Sequence, residues 1–153
     1  MKIFAVIDTN VIVSALISRH ADSATVMILN SVFSEHIIPV YNEDILNEYA
    51  TVLRRKKFNF SEGFINETLT TIKDKGIHSE RVNSGEILQD AKDAVFYEVA
   101  LSKEDSYLVT GNLKHFPKKP FVVSPSEMLQ IIREMQVPKS GLLSEPVARY
   151  GKE

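Results

Sequence analysis

The sequence predicts a three-layer α/β/α fold, with a parallel sheet of five strands between layers of helices. Three observations carry this. Strand-like and helix-like stretches alternate along most of the chain, and such alternation needs crossover connections, hence a parallel sheet covered on both faces. The run Ile3–Ile7 is apolar throughout, with Val6 and Ile7 β-branched, the pattern of a strand buried on both sides. No internal repeat or low-complexity segment interrupts the alternation.

The first strand ends on Asp8. Thr9 and Asn10 then offer capping oxygens for a helix through Val11, Ile12, Val13, Ala15 and Leu16. A polar break from Ser18 to Ser23 precedes a second helix through Ala24, Val26, Met27, Ile28, Leu29 and Val32. His36–Val40 is the second strand, and Pro39, which cannot donate to a ladder, is expected near its end. Asn42 caps a helix reaching Arg55. Another runs from Ser61 to Lys73 with Phe64, Ile65, Leu69 and Ile72 on one stripe, and Gly76 ends it. A weak third strand is expected over Ile77–Val82. Ala91–Ser102 is the next helix, Ser106–Thr110 the fourth strand and Phe121–Val123 the fifth. Ser124 and Glu127 form a capping box for a last helix through Met128, Leu129, Ile131 and Ile132.

From Val137 the pattern dissolves among Pro138, Gly141, Pro146 and Gly151. One domain is therefore expected over 1–136, with 137–153 a tail. Packing of Leu142, Leu143, Val147 and Tyr150, on this chain or on a neighbour, would order that tail. With the helical hairpin, this points to self-association.

Composition narrows the function. The 153 residues suffice for one domain with a real core. Lys plus Arg total 18 and Asp plus Glu 20, for a formal net charge of −2, so the chain is not a bulk electrostatic binder of nucleic acid. Any such role must rest on local patches or on metal ions. The absence of cysteine excludes thiolate metal sites, disulfides and a cysteine nucleophile, and suits a cytoplasmic protein. Lys2 before an apolar run resembles a secretory signal, but Asp8 and Asn10 break the run too early. No stretch approaches the ~20 apolar residues of a membrane span.

Four positions stand out chemically. Asp8 lies at the carboxyl end of the strongest strand, the edge where open α/β sheets bind ligands. The plainer alternative is that it starts the following helix. Glu48 lies about 40° beyond Val52 on the Asn42 helix, at the margin of the buried stripe. It either reaches the sheet's edge or pairs with Arg55 in solvent. Asp93 is flanked by Phe96, Tyr97 and Ala100 at i+3, i+4 and i+7, on a helix whose weakest face holds Ala91, Glu98 and Ser102. A carboxylate on that covered face needs a cation or hydrogen-bond donors; first-turn N–H groups could serve. Asp90 reads foremost as the N-cap, with a ligand role second. Asn112 leaves the fourth strand through Gly111, and Gly-Asn can also be a simple turn. Asp8, Glu48 and Asp93 gathered at one edge would repel one another unless a cation bridged them. Oxygen ligands select Mg²⁺ or Mn²⁺, which hold a phosphodiester and make bound water nucleophilic.

Four motifs in order, AVIDTNVIVSAL, NEDILNEYATVLRR, LQDAKDAVFYEVAL and SYLVTGNLKHFP, resemble PIN domains, most closely the branch of toxins in toxin–antitoxin systems. The resemblance covers Met1 to Ile132. It implies a parallel sheet of order 3-2-1-4-5, metal-dependent endoribonuclease activity and an antitoxin partner. It also implies that Asp8, Glu48 and Asp93 are the first three family acids, with Asp90 the extra acid before the third. Thr110-Gly111-Asn112 departs from the family's Thr-Gly-Asp, removing a negative charge from the second metal's surroundings. Asn can still offer a carbonyl oxygen or orient a water.

Two basic runs could contact RNA. Arg54 and Arg55, with Lys56 and Lys57, follow the Glu48 helix, where a solvated face is the plainer reading. Lys114, His115, Lys118 and Lys119 follow Asn112, with Phe116 available to stack on a base. The competing class is a catalytically weak or inactive binding module that acts through a protein partner. A phosphohydrolase or nucleotide binder of another α/β type is disfavoured. No glycine-rich loop follows the first strand, and no second acid stands two residues after Asp8, as haloacid-dehalogenase-like enzymes require.

Overall fold

The computed structural model describes residues 2–136. The elements run β1 (Ile3–Ile7), α1 (Thr9–Ile17), α2 (Ala24–Phe33), β2 (Ile37–Tyr41), α3 (Glu43–Leu53), α4 (Glu62–Lys75), β3 (Ile77–His78), α5 (Ala91–Ser102), β4 (Ser106–Val109), β5 (Val122–Val123) and α6 (Pro125–Gln136). Short 3-10 turns occupy Lys56–Phe58 and Leu113–His115. The expected tail, including its proposed packing residues, lies outside the described residues. Among the described residues, no helix is long and apolar enough to cross a membrane.

All five strands are parallel, in the order β3-β2-β1-β4-β5. The chain steps outward from β1 to β2 and β3, then returns to place β4 on the other side of β1. Right-handed crossovers therefore send helices to both faces of the sheet. α5 packs on β1, β2 and β4, while α2 packs on β2 and against α1, α4 and α6. The core forms around the buried central strand: Ala5, Val6, Ile37, Leu108 and Val109 are fully or almost fully enclosed, with Ile12, Ile28, Tyr97 and Met128 from the helices. Val13, Val52, Leu53 and Ile65 make a smaller cluster between helices.

The helix starts are set by local chemistry. The side chains of Ser23, Asn42, Ser61 and Asp90 accept from the first-turn amides of α2, α3, α4 and α5. At α6 the expected capping box closes reciprocally: Glu127 N–H donates to Ser124 Oγ at 3.1 Å, and Ser124 N–H to Glu127 Oε1 at 2.8 Å.

Two strand expectations are corrected. Pro39 lies in the middle of β2, paired with Ala5, and not near its end. Ile3 N–H donates to His36 O, and Ser79 N–H to Tyr41 O. By the alternation of a parallel ladder, Pro39 therefore turns its nitrogen toward β3, where pairing starts only at Val40. The third strand is only Ile77–His78, because the chain then turns onto α5. Gly76 is set there by close approach: a Cβ would lie 2.4 Å from Pro39 O and 2.7 Å from Ile72 O.

Candidate active site

The strand order reverses between β1 and β4, and both strands end on the same edge. A crevice outside that switch point is where open α/β sheets place ligands. In-register pairing of Ile7 with Val109 sets Asp8 opposite Thr110, and Asp8 N–H donates to Val109 O at 2.9 Å. Asp8 is only 6% exposed. The Thr110 hydroxyl donates to its Oδ2 at 2.7 Å, and Asn112 N–H donates to Thr110 Oγ1 at 3.0 Å. The Asn112 backbone amide thus acts on Asp8 through Thr110, a role the sequence alone does not assign. Its signal was a threonine ending a buried strand before Gly-Asn.

Asp8 occupies the N-cap position of α1 yet closes no capping hydrogen bond. Burial pushes its carboxyl above the ordinary aspartate value. The Thr110 hydroxyl, the nearby amides of Asn10 and Thr9, and the charge of His115 oppose that shift. Beside it, Thr9 Oγ1 is the one buried side-chain polar atom without a partner among the described residues.

Glu48 comes from the second turn of α3. Tyr49, next to it, holds that helix to the site: its hydroxyl donates to Ile7 O at 2.5 Å, and its ring lies 6.2 Å from Phe96 of α5. Burial first, then the Asp8 charge, drive the Tyr49 hydroxyl's pKa far up, so it stays a donor. Glu48 is not paired with Arg55; its Oε1 faces Lys92 Nζ of α5 at 3.6 Å.

Asp93 lies in the first turn of α5, partly covered. Burial raises its pKa, and the charges of Asp8 and Asp90, and then Glu48, raise it further, while His115 lowers it. Asp93 thus feels the negative charge of the other three candidate acids. His115 Nδ1 is 3.6 Å from Asp93 Oδ2. Asp90 is exposed and its Oδ1 accepts from Lys92 N–H at 2.9 Å, the capping role expected foremost.

The irregular segment before α5 is fixed by contacts the sequence did not reveal. Glu98, expected on the weakest face, is buried; it accepts from Arg81 Nε at 2.7 Å and Ser84 N–H at 3.0 Å. Ser79 and Ser102 hydroxyls bond at 2.9 Å, and Tyr97 donates to Glu86. These bonds deliver the chain to Asp90 and so aim the first turn of α5.

The basic candidates divide. Lys114, Lys118 and Lys119 are exposed around the turn after Asn112. Phe116 is a correction: it is 6% exposed and joins the core, while Leu113 is 42% exposed. After the 3-10 turn at Leu113–His115 the aromatic ring packs largely inward, and only a small part of it lines the surface hollow there. Arg54 and Arg55 are also set apart. α3 runs back from the carboxyl edge, putting Arg54 about 9 Å beyond Glu48 along its axis at 1.5 Å per residue, with Arg55 following it. Arg54 there clasps Glu62 through Nε and Nη2 at 2.7 and 3.1 Å.

Asp8, Glu48 and Asp93 come from three separate elements and offer only oxygen, the donor set of a hard divalent ion. Their repulsion and the orphaned Thr9 hydroxyl fit such an ion. As the side chains stand, however, no three acidic, histidine or cysteine groups among the described residues converge in metal-holding geometry.

Comparison with known sequences bears on this edge directly. A PIN domain family model matches residues 5–114, well over half of the chain and including all four candidate acids. No curated protein and no solved structure gives a significant match. PIN domains are generally metal-dependent nucleases, typically acting on RNA. With the observed sheet order and the extent of that match, the chain belongs to the PIN domain family.

Proposed function

We propose that this protein is a metal-dependent endoribonuclease in which Asp8, Glu48 and Asp93 hold Mg²⁺ or Mn²⁺. Asp90 and Asn112 support them at the margin. The observation that carries the reading is a buried Asp8 at the sheet's switch point, sharing its electrostatic field with Asp93, Asp90 and Glu48. A bound divalent ion supplies Lewis acidity and lowers the pKa of water in its coordination shell. The chain's own residues do the rest. Thr110 fixes the Asp8 carboxylate, Tyr49 fixes α3, and Lys114, His115, Lys118 and Lys119 offer positive charge to the phosphates of a strand crossing the edge.

Cleavage of RNA by wild type and by Asp8→Asn, with Mg²⁺, with Mn²⁺ and with chelator, tests this. Metal-dependent cleavage that Asp8→Asn abolishes while the fold survives is expected. Equal cleavage by both proteins would refute the role of Asp8. On the sequence resemblance, we further assign the chain as the cytoplasmic toxin of a toxin–antitoxin pair, held by an antitoxin protein and capable of homo-oligomer formation. Co-purification with the product of a neighbouring open reading frame tests that assignment.

Two observations favour a second reading, a catalytically weak module acting through a protein partner. The acids do not converge as they stand, and Asn112 carries no charge. Absence of Mn²⁺ binding at millimolar concentration would select it.

A further inference from the structure

The amino edge of the sheet, opposite the acids, carries an open apolar groove. The starts of β1 and β4 and the last turns of α5 and α6 meet around about 580 Å³ of space. Phe4, Leu101, Tyr107, Phe121 and Met135 supply its apolar lining. Leu101 and Met135 remain 37% and 43% exposed there, and contiguous apolar surface of this kind marks a place for a partner. On the rim, Lys2 and Lys103 are balanced by Glu104 and Asp105. Lys103 already lies over the Phe4 ring, with Nζ 4.1 Å from its centroid. With no excess of either sign, the groove suits an apolar segment and not a polyanion.

The direction of α6 selects the segment. This helix starts at Pro125, just after β5, and runs back to Gln136 at the amino edge, where Met135 lines the groove. Residues 137–153 follow in the sequence, and Leu142 and Leu143 are the first apolar pair among them. Leu142 is six residues beyond Gln136, a reach of up to about 20 Å at ~3.4 Å per residue. So short a tether holds the pair at an effective concentration on the order of millimolar, far above that of a second copy in dilute solution. We propose that the amino-edge groove is the docking site of this chain's own C-terminal segment, with Leu142 and Leu143 seated against Leu101, Phe121 and Met135.

The chain has no cysteine, so disulfide trapping in the full chain tests this, with Glu104→Cys at the groove and Ser144→Cys beside the leucine pair. Mild oxidation should link the two within one molecule, at a rate independent of protein concentration. That rate should be roughly tenfold or more above the rate for Ser144→Cys combined with Leu113→Cys, at the opposite edge of the sheet. Adding Leu142→Asp and Leu143→Asp should remove the advantage. Leu101→Asp, which alters the groove and leaves the segment intact, should do the same. No advantage over the Leu113→Cys pair, or an advantage that survives both sets of aspartates, would overturn the docking. Linkage mainly between molecules, rising with concentration, would overturn it in favour of a second copy as the occupant.

Discussion

The Thr110 hydroxyl donates to Asp8 Oδ2 at 2.7 Å, joining residues 102 positions apart across the β1–β4 switch point. Parallel pairing puts the donor beside the acid, and the Asn112 amide in turn fixes the donor. Thr110→Val should therefore cost about 1.5–3 kcal/mol of stability, the range for a hydrogen bond to a charged group. It should also raise the Asp8 pKa further. Urea unfolding measures the first effect and the pH dependence of stability the second.

Burial leads the upward shifts of Asp8 and Asp93, both above the ordinary value of 3.8. A raised carboxyl favours the folded state when protonated. Its stabilising effect is complete below about pH 3.8 and disappears as pH rises through the higher folded value. In chelator, Asp8→Asn should accordingly raise Tm relative to wild type at pH 7, and the difference should shrink toward pH 3. Thermal melts at the two pH values check both signs.

Tyr49 ties α3 to the last carbonyl of β1 and stacks obliquely near Phe96. Tyr49→Phe keeps the ring and removes the hydroxyl. Stability should fall by about 1 kcal/mol, with a larger proportional loss in Mn²⁺ affinity because the helix carrying Glu48 loses its anchor. Calorimetric titration beside urea unfolding separates these effects.

Glu98 behaves oppositely to the site acids. The Ser84 amide first, and Arg81 with it, hold its carboxyl below the ordinary value of 4.5 against the effect of burial. The stability it confers is present above pH 4.5 and is lost as pH falls through the folded value. Glu98→Gln should release the segment before α5 at neutral pH while leaving the sheet protected. Hydrogen exchange of residues 79–90 reads this directly.

Much of the architecture was legible because its signals are local. The apolar run at Ile3, the Asn42 and Ser61 caps, and the Ser124–Glu127 box depend on residues a few positions apart. Pro39 defied its reading because the side of the strand its nitrogen faces depends on where β3 begins. Phe116 did so because a single 3-10 turn exchanged inside for outside. The hydrogen bonds of Thr110, Tyr49 and Glu98 are not legible in the sequence for a common reason: each acts through a partner 14 or more residues away, and no period in the sequence reports such pairs.

Titration of Mn²⁺ into wild type and into Asp8→Asn, Glu48→Gln and Asp93→Asn tests the shared metal site most directly. Saturable binding by wild type that each substitution abolishes or weakens at least tenfold is the predicted result. Binding that survives all three unchanged, or none by wild type at millimolar Mn²⁺, would contradict it.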